Sequence, residues 1–588
     1  KGLSPENAVV QQLKKAGAKS TRTYYYNEET VEKAGKVVVG TFLSDYSGDR
    51  RDSLVLVTSI PNYLLSMDTD EFGQTSCCTG LSVLLMILKF NQKVPWLSKN
   101  IILVASETEY GVKEYLNEFH HSRNASGLRS ESGSIVAGLS LHMDRPMKQR
   151  GIKKVAVATQ GINGALPNLD IFNVVTHVAK IPTVLDPRDG EALFTGTKSA
   201  LVEFLQNYFP KQAVIVYVER MENLLRFMHR VAFVPTGWHA HLLPYRVDAV
   251  SLIALYSPIG NRNPLHGVME VASTIQSTIR SISNLDERLH HSFTLYVLPD
   301  VKLFVSIDEY AGSLVCLMVP IMILAVVTIA KIDFDDSTFV GIPVEAIGFS
   351  VSVMLVMLLV GLCMLQVMSL KTFASLSETE SFFSDILSSE YRQVSGYCAT
   401  SIIVSSVWFV ILLFVVAFSV GFCFPSLRRG CLHKYENVPG WQYAKVTVLL
   451  YVFIVYVIVG VLNYPFAYFL ALTTVPFYFA VSPSKSIVRK FCMLTWWIAS
   501  SPLVFLHVFY HLVSEEPYWT GTENTGCAAE DLDGYHAVFK GLLFMQSLHT
   551  KYGSMHFAFL CLVQVPLHTA SLWILMQNVP ANRKVKAA

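Results

Sequence analysis

The sequence predicts two architectures in tandem: an α/β domain over residues 1–310 and an all-α polytopic membrane domain of about seven spans over residues 311–588. Three observations carry that division. Apolar residues crowd the C-terminal half, so the averages of 52% hydrophobic and 16% charged describe neither half. Short β-branched runs alternate with helical patterns before residue 310. Ala311 to Ala330 is an uncharged run of about twenty residues, enough to cross roughly 30 Å of hydrocarbon as a helix.

Lys36 to Leu43 and Ser53 to Ile60 are β-branched runs bounded by polar turns, the pattern of strands. Thr79 to Phe90 has helical spacing, and Asn100 to Ser106 is a continuous apolar run suited to a buried strand. Gly111 to His120 is an amphipathic helix, and Ser134 to Leu141 and Val155 to Thr159 are strands. Leu166 to Ala179, with Pro167 near its start, suits a helix that begins after the Gly161–Gly164 turn. Val247 to Leu255 reads as a late strand and Pro264 to His291 as a long helix. Such alternation gives a mixed or largely parallel sheet flanked by helices.

Charge and cysteine usage exclude some functions. A net charge of +2 offers no reason for a nucleic-acid partner. The ten cysteines lack CxxC or finger spacing, which argues against a zinc module. Cys316, Cys363, Cys398, Cys492 and Cys561 lie in or beside apolar runs, where small packing residues are expected. The chain begins at Lys1 with no secretory apolar segment, so an N-terminal signal or anchor is expected to precede this numbering.

Spans are expected near 311–330, 344–367, 398–423, 444–462, 465–481, 491–513 and 554–577, the fourth and fifth joined by a tight hairpin at Asn463-Tyr464. Loops 424–443 and 482–490 and the tail carry Arg428, Arg429, Lys434, Lys485, Arg489, Lys490, Arg583, Lys584 and Lys586, all on one side if the spans alternate. The opposite loops hold Glu378, Glu380, Glu515 and Glu516. The positive-inside rule therefore places the globular half outside the cytosol and the C-terminus within it. Asn124-Ala-Ser126, the one glycosylation triplet in the chain, lies in the globular half and agrees. Lys584 and Lys586 read either as a cytosolic dilysine return signal or as a basic flank. Few ionisable residues lie deep in the spans, and His507 and His511 read as interfacial, so no proton pathway is evident.

The order of strands and helices resembles that of zinc-dependent aminopeptidases, which hold two metals on loops at strand ends. Position by position the likeness thins. Where that family has His-x-Asp, this chain has Ser59-Ile60-Pro61-Asn62; where it has a bridging Asp, Ser76-Cys77-Cys78-Thr79-Gly80. The Glu-Glu pair falls on Ala105-Ser106 or, in another register, on Thr108-Glu109, and the remaining ligand positions hold His142 and His239. A two-metal centre needs a bridging carboxylate and a general base. Glu109, His142 and His239 therefore read as vestigial, with no metal, no cofactor and no catalytic residue expected, and His239 as a hydrogen-bonded core residue.

A closer resemblance covers nearly the whole chain. Gly161-Ile-Asn-Gly-Ala-Leu-Pro-Asn-Leu-Asp170, Pro244-Tyr-Arg-Val-Asp-Ala249, Glu287-Arg-Leu-His-His-Ser-Phe293 and Leu295-Tyr-Val-Leu-Pro299 resemble the glycosylphosphatidylinositol (GPI) anchor attachment protein 1 family. The resemblance implies a GPI transamidase subunit in the endoplasmic reticulum membrane, with a luminal head and a cytosolic C-terminus. It also implies that the cysteine nucleophile belongs to a separate caspase-like subunit. This chain would help bind the GPI lipid and hold the other subunits together. The contrasting reading is a membrane-anchored zinc metallopeptidase, or a head that itself forms the new amide bond. In the last span Pro566 should kink the helix and free the Leu562 carbonyl, while Gln564 and His568 share a face one turn apart. Pro566, Gln564 and His568 are the candidates for a lipid groove.

Overall fold

A computed structural model describes residues 5–27, 34–44, 52–60, 79–92, 94–121, 132–143, 150–185, 210–233, 235–258, 264–285, 294–335, 440–501 and 553–576, with isolated positions between them. Contacts divide the chain into two compact units, Lys1–Glu309 and Tyr310–Ala588.

The first unit is built on an eight-stranded mixed sheet of order β1-β2-β4-β3-β5-β8-β6-β7. The strands are β1 (Ser20–Asn27), β2 (Ala34–Phe42), β3 (Asp52–Ser59), β4 (Asn100–Ser106), β5 (Ser134–His142), β6 (Arg150–Ala158), β7 (Thr183–Val184) and β8 (Asp248–Pro258). Strands β4, β3, β5 and β8 run parallel. Antiparallel β2 and β1 extend one side, and β6, antiparallel to β8, extends the other. Parallel strands covered on both faces need apolar residues throughout, which is why β4 is a continuous run with every residue buried. One face of β2, β3 and β4 (Val37, Val39, Val55, Val57, Ile102, Val104) packs with Val112, Leu116 and Phe119 of the helix Glu109–His121.

Several boundaries move for identifiable reasons. The helix expected from Leu166 begins at Leu169, because Pro167 precedes the cap and the Asn168 side chain accepts the Asp170 N–H at 2.9 Å. The strand expected at Val155 starts at Arg150, where β6 has β8 to pair with. The helix from Pro264 runs to Ser283, and positions 286–293 lie outside the described residues. Unforeseen from sequence are the helices Pro5–Lys15 and Lys211–Phe233, strand β1, and the hairpin Tyr296–Asp300 with Leu303–Ser306.

Among the described residues, three helices are long and apolar enough to cross a membrane: Ile307–Lys331 (which enters the second unit at Tyr310), Trp441–Leu462 and Met555–Met576. Tyr464–Ala480, seventeen residues, and Ile487–Ala499, thirteen residues, accompany them. Asn463 makes the hairpin between Gly440–Leu462 and Tyr464–Ala480, its side chain accepting the Phe466 N–H at 3.2 Å. Of the expected spans, 398–423 lies outside the described residues and 344–367 is described only at isolated positions. His507 and His511 also lie outside.

Candidate functional site

In open α/β sheets ligands collect at the carboxyl ends of parallel strands. At that edge β3 ends on Ser59, β4 on Ser106 and β5 on His142. His142 Nε2 lies 3.0 Å from Ser140 Oγ, two residues back on the same face of β5. The short helical turn Trp238–His241 brings a second imidazole in: His239 Nδ1 lies 2.7 Å from Ser251 Oγ on β8. Ser140 and Ser251 are register partners across β5 and β8, so each strand offers a hydroxyl to its own histidine. Gly237 permits this approach, since a Cβ there would lie 2.4 Å from Ser251 Oγ. Trp238 closes edge-on against His142, ring centres 5.4 Å apart.

Burial governs the charge of this cluster. It drives His239 down to about 3; the Thr159 carbonyl opposes the shift, and His142 and His241 add to it. His241 also falls to about 3, through burial and then the charge of Lys113. Both rings are neutral at pH 7.

The donors for a two-metal centre do not assemble. Ser106 Oγ donates to the Thr108 carbonyl at 2.6 Å. Glu107 turns its carboxylate to the Lys36 N–H at 3.1 Å, on the flank of β2. Glu109 opens the helix Glu109–His121 and is partly exposed. Among the described residues no three His, Cys, Asp or Glu side chains converge as a metal-binding group. One nitrogen of each imidazole, His142 Nε2 and His239 Nδ1, faces a serine hydroxyl. Among the described residues these donors do not make up a metal pair; Asn62, Cys77, Cys78 and the expected glycosylation site Asn124 lie outside the described residues.

Two of the motifs singled out in the sequence meet at the other end of the sheet, where β8 begins. The Asn168 N–H donates to Asp248 Oδ1 at 2.7 Å, joining Gly161–Asp170 to Pro244–Ala249. Burial raises the Asp248 carboxyl; the Asn168 N–H opposes this and Asp170 reinforces it. Asn163 and Arg246, both at φ 58°, turn the chain in each motif through the left-handed region. Tyr245 stacks on His120 at 4.6 Å and donates its hydroxyl to Asn117. Ser140, Ser251, Trp238 and His241 escaped the sequence reading; the run Gly237-Trp-His-Ala-His241 was the available signal.

The second unit holds the other candidates. Its last long helix is interrupted, Met555–Phe559 passing through a π-helical turn at Leu560–Gln564 into Val565–Met576. Pro566 lacks the N–H that would engage the Leu562 carbonyl, and the Tyr451 hydroxyl donates to that carbonyl at 3.2 Å. Trp497 donates its indole N–H to the His568 carbonyl at 3.0 Å and stacks on the His568 ring at 4.3 Å. A Cβ on Gly361 would lie 2.2 Å from the Cys561 carbonyl oxygen, so backbone meets backbone at the π turn. Neighbouring segments thus cover the irregular backbone, as membrane depth requires. Gln564, Pro566 and His568 are all buried, and 78% of this helix's apolar window is buried against 22% for Ile307–Lys331. Gln564 Oε1 and both ring nitrogens of His568 have no hydrogen-bond partner among the described residues.

Comparison with known proteins gives a consistent family. The Gaa1-like, GPI transamidase component family matches residues 36–574. The GPI transamidase component gaa1 of Schizosaccharomyces pombe is 28% identical over 262 residues, 43% of this chain and 41% of that protein. GAA1 of Saccharomyces cerevisiae is 26% identical over 303 residues, 51% of this chain and 42% of that protein. The alignments thus span less than half the length of either relative. Among solved structures, Legionella pneumophila LapA aminopeptidase is 10% identical, covering 48% of this chain and 65% of its own, at a TM-score of 0.27. An Acidobacteriales bacterium glutaminyl cyclase is 12% identical, covering 48% and 87%, at 0.28. At those scores neither likeness carries an argument.

Proposed function

The chain belongs to the Gaa1-like, GPI transamidase component family, and from that premise we propose that it is a non-catalytic subunit, binding the GPI lipid and scaffolding the complex that attaches GPI anchors. The observation that supports this reading is that His142 and His239 pair with Ser140 and Ser251 while, among the described residues, no metal-binding group of His, Cys, Asp or Glu side chains forms at this edge. A two-metal centre needs a bridging carboxylate beside its histidines, and the described residues assemble no such donor group. The cleavage and amide transfer then belong to another subunit, the caspase-like one that supplies the cysteine nucleophile.

Lipid capture is assigned to the second unit, where Pro566 breaks the last span and Gln564 and His568 keep polar atoms unpartnered in an apolar bundle. The setting is the endoplasmic reticulum membrane, with the head luminal and the C-terminus cytosolic; the basic loops and the Asn124 triplet support that orientation. The test is His239→Ala in the assembled complex, with metal analysis of the wild type. Transamidase activity should persist and zinc should be substoichiometric. About two tightly bound zinc ions per chain, or lost activity that added zinc restores, would favour a metallopeptidase or an amide-forming head.

A further inference from the structure

Residues 440–501 contain four cations, Lys445, Lys485, Arg489 and Lys490, and no aspartate or glutamate. Three of their helices place ends together: Gly440–Leu462 near its start, Tyr464–Ala480 at its finish and Ile487–Ala499 at its beginning. Lys445 lies there at 7% exposure, its Nζ donating to the Phe479 carbonyl at 3.0 Å. That carbonyl belongs to the last turn of its helix, the negative end of the dipole. It supplies a hydrogen bond but no neutralising charge. Arg489 lies near enough for its charge to act on Lys445, and its guanidinium donates to Ser482 Oγ at 3.0 Å. Lys445 is buried and Arg489 exposed, and no carboxylate among the described residues pairs with either. A buried charge at a membrane boundary persists when an opposite charge completes it.

The surroundings define the missing anion. Ser486 caps Ile487–Ala499 without a side-chain hydrogen bond, so no side chain caps that helix's first N–H groups. Lys485 and Lys490 flank the same end, and Ile487, Val488 and Phe491 are exposed beside them at 83%, 72% and 71%. Cations and uncapped N–H groups bordered by a bare apolar face match a phosphate ester with acyl chains.

We propose that Lys445, Arg489 and the start of the helix Ile487–Ala499 form a binding site for the phosphate of an anionic glycerophospholipid, its chains lying along Ile487, Val488 and Phe491. The site is at the opposite end of Gly440–Leu462 from the Asn463 hairpin and is independent of the lipid groove assigned to Pro566.

The test uses the membrane complex purified through the full chain and reconstituted with phosphatidylinositol in excess phosphatidylcholine. Bound lipid is counted by native mass spectrometry. The wild type should retain phosphatidylinositol in preference to phosphatidylcholine, and R489Q and K445Q should each lower its retention roughly fivefold, as removing one charge near a lipid surface does. Because R489Q alters an exposed side chain, it keeps the test valid even if K445Q fails to fold. Glu436→Gln, the nearest acidic position outside the described residues, should change nothing. Equal retention of both lipids, loss of the preference in E436Q, or complete displacement by inorganic phosphate with no effect of vesicle composition would each overturn the proposal.

Discussion

The Tyr451 hydroxyl donates to the Leu562 carbonyl at 3.2 Å, and Leu562 is the residue whose carbonyl Pro566 cannot serve. A hydroxyl from a neighbouring helix thus replaces a missing backbone donor, in surroundings where water is not at hand to do so. The kink and its partner form one device, and the two residues should be energetically coupled.

That coupling is measurable. Tyr451→Phe should destabilise the membrane unit by about 1 kcal/mol, in keeping with hydrogen bonds between membrane helices. In a Pro566→Leu background the new N–H competes for the same carbonyl, so Tyr451→Phe should cost less. A double-mutant cycle on unfolding in mixed micelles checks this; strictly additive costs would show that the hydroxyl does not substitute for the lost donor.

The buried histidines set a pH dependence for the head. His239 and His241 fall from 6.5 to about 3 on folding, so between those values the unfolded chain binds protons that the folded head does not. Stability is therefore fully present above pH 6.5 and is lost as pH falls toward 3, by roughly 1.4 kcal/mol per pH unit for each ring. Proteolysis of the intact chain in urea across that window measures the slope. His239→Gln should remove about half of it, and an unchanged slope would mean that the ring is protonated in the folded head.

Much of the sheet was legible because its central strands are buried on both faces. Val37, Val55 and Ile102 sit in runs that no amphipathic helix would tolerate. Strand β1 was not, since Thr-Arg-Thr-Tyr-Tyr-Tyr is polar and aromatic at an edge, where its pairing with β2 rather than its own residues makes it a strand. The site was half visible. His142 and His239 stood out as possible ligands, but the serine hydroxyls that each meets at one ring nitrogen come from register across β5 and β8, which exists only after folding. In the same way Pro566 announced a broken helix, while Tyr451, 111 residues from Leu562, could be assigned only in three dimensions.

The contact between Asn168 and Asp248 should hold the two head motifs together. Asp248→Ala removes the acceptor of a buried N–H and should cost about 2 kcal/mol, whereas Asn168→Ala removes a helix cap and should cost about 1 kcal/mol. Hydrogen exchange of the Asn168 amide should rise in the first variant more than in the second; equal protection in both would separate the contact from the stability of these loops.

Topology has its own test. Asn124 should carry a glycan whose removal by endoglycosidase shifts mobility, and a tag after Ala588 should be reached only from the cytosol. An unmodified Asn124 together with a lumen-facing tag would invert the orientation.

Lipid capture by the second unit, with the chemistry performed by another subunit, is the proposed division of labour. The direct measurement is co-purification of labelled GPI and of the partner subunits from cells expressing Pro566→Leu. Labelled GPI should fall several-fold while the partners are recovered at wild-type levels. Lipid retained in full, or partners lost along with it, would contradict the assignment.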